Sequence, residues 1–96
     1  SIFAPKDIYA LYEEQDFSEP CEILYKAFVA LMAEHSPALR EYGALKTELM
    51  TRTGLKGKNF FKPLRILLTG TSHGLELHEI YPFLQLFLTD IVRLKD

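Results

Sequence analysis

The sequence has little cysteine, little histidine and no long apolar run, and each shortage closes off a class of protein. Cys21 is the only cysteine among 96 residues, so no disulfide forms within the chain and no cysteine-based zinc site can be built. The expected place for such a residue is the interior, where it packs as a small apolar group. The three histidines, His35, His73 and His78, form no spaced pair with a cysteine. A His73/His78 pair has no third ligand nearby, so no metal is expected. No apolar stretch is long enough to span a bilayer. Residues 1–10 lack the basic-then-apolar order of a secretory signal. A cytoplasmic protein without a membrane partner is the expectation. Glu13, Glu14 and Asp16 fall in a short amphipathic segment with no apparent pocket, which suits a solvated face better than acid–base work. With no nucleophile–base or metal constellation, a self-sufficient enzyme is excluded.

What is present is ordinary for a globular domain: 48% apolar and 25% charged residues. The length allows a single domain over residues 1–96 with one modest core. The net charge of −2, taken alone, argues against a nucleic-acid binder, but the charge is uneven. Residues 1–45 carry three bases against eight acids, and residues 66–96 two against four. Residues 46–65 carry six bases, Lys46, Arg52, Lys56, Lys58, Lys62 and Arg65, against Glu48 alone. A focused patch of this kind attracts a phosphate backbone even on a mildly acidic domain. A face built only for solubility mixes signs.

The apolar periodicity is helical nearly throughout, which makes the class all-α, a compact helical domain of about five to six helices. Asp7 can cap a short first helix carrying Ile8, Leu11 and Tyr12. Ser18 and Pro20 open a second, with Ile23, Leu24, Ala27, Phe28, Leu31 and Met32 as its stripe. Ser36-Pro37 repeats the cap-then-proline order and starts a third, with Leu39, Tyr42, Leu45 and Leu49 at steps of three and four. Gly54 suits the left-handed residue that ends it. Residues 54–59, with two glycines, two lysines and no period, read as a loop. Pro63 then opens a helix that Gly70 closes. A further helix from Leu77 to Leu94 is expected to break or bend at Pro82. The aromatics Tyr9, Tyr12, Phe17, Tyr25 and Phe28 are expected in the core, as are Tyr81, Phe83 and Phe87.

Residues 60–69, placed at 100° steps, sort into two faces. Phe60, Phe61, Leu64, Leu67 and Leu68 share an arc of about 120° and should meet the core. Lys62, Arg65 and Thr69 stand together opposite, beside the loop holding Lys56, Lys58 and Asn59. Taken alone, such a face also fits a solvated helix.

The segment from Thr53 to Gly70, TGLKGKNFFKPLRILLTG, resembles the signature TGLKGKxLFxPLRxALTG of bacterial glutamyl-tRNA synthetases. His73 to Ile80, HGLELHEI, resembles that family's HGPELxEI, in the same order and at the same spacing. The resemblance implies the C-terminal anticodon-binding domain of a class I enzyme, a helical cage that reads the anticodon. Such an enzyme activates glutamate with ATP and magnesium and joins it to tRNA(Glu), in some bacteria also to tRNA(Gln), with a tRNA-dependent amidotransferase as a further partner. Neither of the family's catalytic signatures, an HIGH-like segment or a KMSKS-like loop, occurs in the chain, so it is expected to recognise RNA, hold no cofactor of its own and act as a monomer.

Residue by residue, Arg65 stands where the family arginine lies against the anticodon loop, and Lys62 where the residue just before Pro-Leu faces the RNA. Gly74, Leu75, Leu77 and His78 hold the positions that pack against splayed bases. Leu75 replaces the family proline, and residues 83–88 lack the family's Leu-Leu-Gly turn. Lys56, Lys58, Asn59 and Thr69 complete the expected surface. Arginine can read a base edge with its planar fork, while lysines hold phosphates without reading sequence. The rival reading is a helical protein–protein docking domain, which the apolar last helix and acidic first half would also fit.

Overall fold

A computed structural model of the chain describes residues 18–70, 74 and 76–93. The expected helix around Asp7, the aromatics Tyr9, Tyr12 and Phe17, and the carboxylates Glu13, Glu14 and Asp16 lie outside these residues. All regular structure in the described residues is helical, as the periodicity required. Helix α1 covers Ser18–Ala33 and α2 Tyr42–Thr53; α3 covers Lys58–Thr69, α4 Leu77–Leu84 and α5 Leu88–Arg93. Short 3-10 turns lie at Pro37–Arg40 and Gln85–Phe87.

Helix α1 runs between α2 and α3, α4 packs on α2, and α5 returns onto α3. One cluster joins Leu24, Phe28 and Leu31 of α1 to Leu45 and Leu49 of α2. Phe60, Leu64, Leu67 and Leu68 of α3 complete its centre, and Leu77, Tyr81, Leu88 and Ile91 close it. Cys21 is buried, as its chemistry suggested.

Two glycines end helices as their position implied. Gly54, at φ 73°, donates its N–H to the Met50 carbonyl, and Gly70, at φ 79°, donates to Ile66. Only a residue without a Cβ takes this left-handed conformation cheaply. Thr53 fastens the exit of α2: its hydroxyl donates to the Leu49 carbonyl at 2.7 Å and accepts the Leu55 N–H at 3.1 Å.

The third expected helix is in fact two pieces. Ser36 accepts the Ala38 N–H and caps only the 3-10 turn. Glu41 then turns extended, at φ −145° and ψ 135°, and its carboxylate accepts the Gly43 N–H to start α2 afresh. The next helix begins before Pro63. Its first turn includes Lys58 and Asn59, with the Gly57 carbonyl accepting from both Phe60 and Phe61. Pro63 forfeits the bond its N–H would give to the Asn59 carbonyl, at an exposed residue where water can serve instead.

At the end of the chain the break falls one turn after Pro82, in the 3-10 turn at Gln85–Phe87. Tyr81 is buried, but Phe83 is 70% and Phe87 45% exposed, against expectation. The reason is geometric. Leu77, Ile80, Tyr81 and Leu84 form the i, i+3, i+4, i+7 stripe that meets the core, and Phe83 lies off that stripe.

Candidate nucleic-acid interface

The basic window resolves into a clamp and a face. Arg52 belongs to the clamp: Nη1 and Nη2 donate to Glu34 at 2.8 and 2.7 Å, and Nε donates to Glu48 at 2.8 Å. Two carboxylates thus neutralise it, and it adds nothing to a free positive surface. The face belongs to α3. Because the helix starts at Lys58, that lysine is in register with Lys62, Arg65 and Thr69 at i, i+4, i+7 and i+11. The four fall within an arc of about 60°. Lys58 therefore extends the helix face, where the sequence pattern had placed it in a loop. Asn59 is turned about 100° from Lys58 around the axis and stands off this face. Lys56 is exposed in the preceding turn.

The apolar side of α3 is wider than the periodicity suggested and is shifted. Ile66 and Pro63 are buried along with Phe60, Leu64, Leu67 and Leu68. Phe61, expected in the core, is 40% exposed. It sits at the margin of the apolar arc, and its ring meets Phe60 edge-on at 5.1 Å and 88°. Phe61 thus joins the polar face as its one aromatic surface.

A cleft of about 200 Å³ opens where α2, α3 and the start of α4 converge. Arg65 and Phe61 line it from α3, Tyr42 and Lys46 from α2, and Leu77 and His78 from α4, with Glu76 at the rim. Of the residues expected from sequence, the structure brings Arg65, Leu77 and His78 together here. Leu77 is a core residue, 4% exposed, that shows only its margin. His78 is exposed, with Nδ1 4.0 Å from the Glu76 carboxylate. Lys56, Lys58, Asn59, Lys62 and Thr69 do not line this cleft. Thr69 spends its hydroxyl on the Arg65 carbonyl at 2.7 Å. Gly74 is exposed at φ 134°, a value that favours glycine. Leu75 and His73 lie outside the described residues.

Sequence reasoning missed Tyr42, Lys46 and Phe61. Tyr42 was one of a helical apolar stripe, yet it is only partly buried. Burial raises its phenol above the ordinary value of 10.0; the nearby Arg65 charge opposes that and Glu76 adds to it. Tyr42 therefore stays a neutral donor and acceptor beside the Arg65 guanidinium. Lys46 Nζ stands 6.0 Å from the centre of its ring, and the Tyr81 ring lies 5.9 Å from it, tilted by 53°. Chemically the cleft offers a planar cation, an ammonium, an imidazole and aromatic walls, a set suited to an unstacked base and its phosphate. Among the described residues no cluster of His, Cys, Asp or Glu could hold a metal ion, and no helix is long and apolar enough to cross a membrane.

Comparison with known proteins agrees with this chemistry. Residues 5–85 match the family model described as the anticodon binding domain. A glutamate–tRNA ligase 2 of Helicobacter hepaticus is 50% identical over 94 residues, covering 98% of this chain and 21% of that protein. A protein of Helicobacter pylori named glutamyl/glutaminyl-tRNA synthetase is 46% identical over 91 residues, covering 95% of the chain and 20% of its own length. A glutamate–tRNA ligase 2 of Wolinella succinogenes is 43% identical over 96 residues, 100% of the chain and 21% of that protein. The chain thus spans about a fifth of the length of these relatives. No solved structure matches it.

Proposed function

The chain belongs to the anticodon binding domain family, and from that premise we propose that it binds the anticodon loop of tRNA(Glu) as the recognition module of a glutamate–tRNA ligase. The observation that supports this most directly is the face of α3. Lys58, Lys62 and Arg65 stand in one row, and Arg65 opens into a cleft with Phe61 and His78. Lys56, Lys58 and Lys62 hold phosphates. Arg65 offers its planar fork to a base edge, and Phe61 offers a ring for stacking. Leu77 and His78 border the same base, and Gly74 lets the backbone come close. The ligation itself, with ATP and magnesium, is assigned to the larger remainder of such an enzyme.

The relative from Helicobacter pylori carries both amino acids in its name. The second RNA to test is therefore tRNA(Gln), whose mischarged form a tRNA-dependent amidotransferase would consume. The experiment is a titration of the chain with RNA hairpins carrying the glutamate anticodon or an altered one, at two salt concentrations. Affinity should fall steeply with salt through counterion release. Arg65→Ala should cost about 1–3 kcal/mol of binding, by analogy with bidentate base contacts, and more for the glutamate anticodon than for the altered one. Arg65→Lys should behave alike, because lysine lacks the planar fork. Salt-independent affinity would favour a protein-docking domain. Equal loss on both hairpins, or full rescue by lysine, would reduce Arg65 to a phosphate clamp.

A further inference from the structure

The linker from Gly54 to Gly57 joins α2 to α3 and presents Lys56 to solvent. Its composition leaves it loose. Gly54 and Gly57 both sit at positive φ, 73° and 59°, and glycine restricts the backbone least of all residues. The start of α3 adds no side-chain hold, because its cap is Gly57. Beyond the Gly54 cap, two contacts tether the linker. Leu55 is partly buried and packs against the core. Its N–H donates to the Thr53 hydroxyl oxygen at 3.1 Å, and that hydroxyl donates its own proton to the Leu49 carbonyl at 2.7 Å. The bond to Leu49 fixes where the hydroxyl proton points and so leaves an oxygen lone pair for Leu55. Thr51 makes the first kind of bond alone, its exposed hydroxyl donating to the Thr47 carbonyl at 2.9 Å. Such a bond back to the preceding turn is routine in helices. The second bond, from an N–H beyond the helix end, sets Thr53 apart from Thr51 and ties down the backbone one residue before Lys56.

We propose that Thr53 is a positioning residue for RNA binding, its hydroxyl holding the linker so that the Lys56 ammonium meets a phosphate beside the α3 face. The inference rests on the RNA-binding reading above. A cation on a tethered backbone loses less freedom on meeting a phosphate than one on a free glycine linker. The tether therefore raises affinity without making a contact of its own. Lys58 needs no such help, since the first turn of α3 already holds it. The effect is confined to Lys56, and so to the part of binding that carries no sequence information.

The test is a double-mutant cycle, read by titrating the chain with the glutamate-anticodon hairpin across several salt concentrations, with thermal melts alongside. Lys56→Gln should lower the salt slope by about one unit. Thr53→Val keeps the shape of threonine and loses both hydrogen bonds. It should lower the slope by a like amount, so that its affinity loss is about threefold larger at the low end of a roughly fourfold salt range than at the high end. In the Lys56→Gln background it should change neither slope nor affinity. Thr53→Ser, which keeps both bonds, should restore wild-type binding. Thr51→Val, which removes a hydroxyl from the same helix without touching the linker, should bind as wild type does. Thr53→Ala replaces Thr53→Val in the cycle if valine unfolds the chain. A hydroxyl that only stabilises α2 would lower the melting temperature and leave the salt slope unchanged, and that result overturns the proposal. A Thr53→Val loss that adds in full to that of Lys56→Gln overturns it as well. If Lys56→Gln matches wild type while Arg65→Ala weakens binding, the linker holds no phosphate, so the proposal falls and the RNA-binding reading stands. If Arg65→Ala and Lys56→Gln both match wild type, that reading fails and the inference falls with it.

Discussion

Arg52 grips Glu34 with both ends of its guanidinium, at 2.8 and 2.7 Å, across eighteen residues of sequence. The pair ties the chain just beyond α1 to the last turn of α2. It also removes from the basic window a charge that composition alone would count.

The pair should make stability depend on acid. The Arg52 hydrogen bond, partly opposed by desolvation, lowers the Glu34 carboxyl below its ordinary 4.5. A carboxyl lowered on folding stabilises above its unfolded value and loses that contribution as pH falls through the lowered one. Wild type should therefore exceed Glu34→Gln in stability at neutral pH, and the gap should close below the ordinary carboxylate range. Urea melts across this range check it; a gap that persists in strong acid would point to packing instead.

The same clamp separates two kinds of base in RNA binding. Lys58→Gln should lower affinity for tRNA hairpins of any anticodon and cut the salt slope by about one unit. Arg52→Gln should leave the salt slope unchanged, since two carboxylates already neutralise it. Titrations at several salt concentrations decide between them, and equal slopes for the two variants would show that the α3 face is not the footprint.

Neighbouring phenylalanines should behave oppositely. Phe60 is fully buried, so Phe60→Ala should cost about 3–5 kcal/mol of stability. Phe61 is 40% exposed, and Phe61→Ala should cost only about 0.5–1.5 kcal/mol through the lost ring pair. Binding of the anticodon hairpin should instead weaken by about 1–3 kcal/mol if a base stacks there. Thermal melts and titrations of the two variants separate the roles.

Gly54 offers a backbone test. At φ 73°, with nothing within 4 Å of an added Cβ, its cost on substitution is conformational rather than steric. Gly54→Ala should lose about 1–2 kcal/mol, while asparagine, which visits this region more readily, should lose less. Chemical denaturation of both variants measures the difference.

The local relationships were legible without any structure. Helical class, the left-handed ends at Gly54 and Gly70, the burial of Leu64, Leu67 and Leu68, and the alignment of Lys62, Arg65 and Thr69 follow from residues a few positions apart. The backbone alone sets their spacing and direction. Even the exposure of Phe83 was within reach once the α4 stripe was read from Leu77. What the sequence could not settle is whatever depends on a distant neighbour. Arg52 counts as free charge until Glu34 is brought beside it from the turn after α1. Ile66 falls outside the apolar arc, beside Lys62, and Phe61 falls within it at one edge, until the surrounding elements cover one and leave the other. The cleft at Arg65 draws on residues 42, 46, 61, 65 and 77–78, from three helices whose mutual angles no periodicity specifies. Side-chain direction is written in the local chain; who stands opposite is decided only when the core closes.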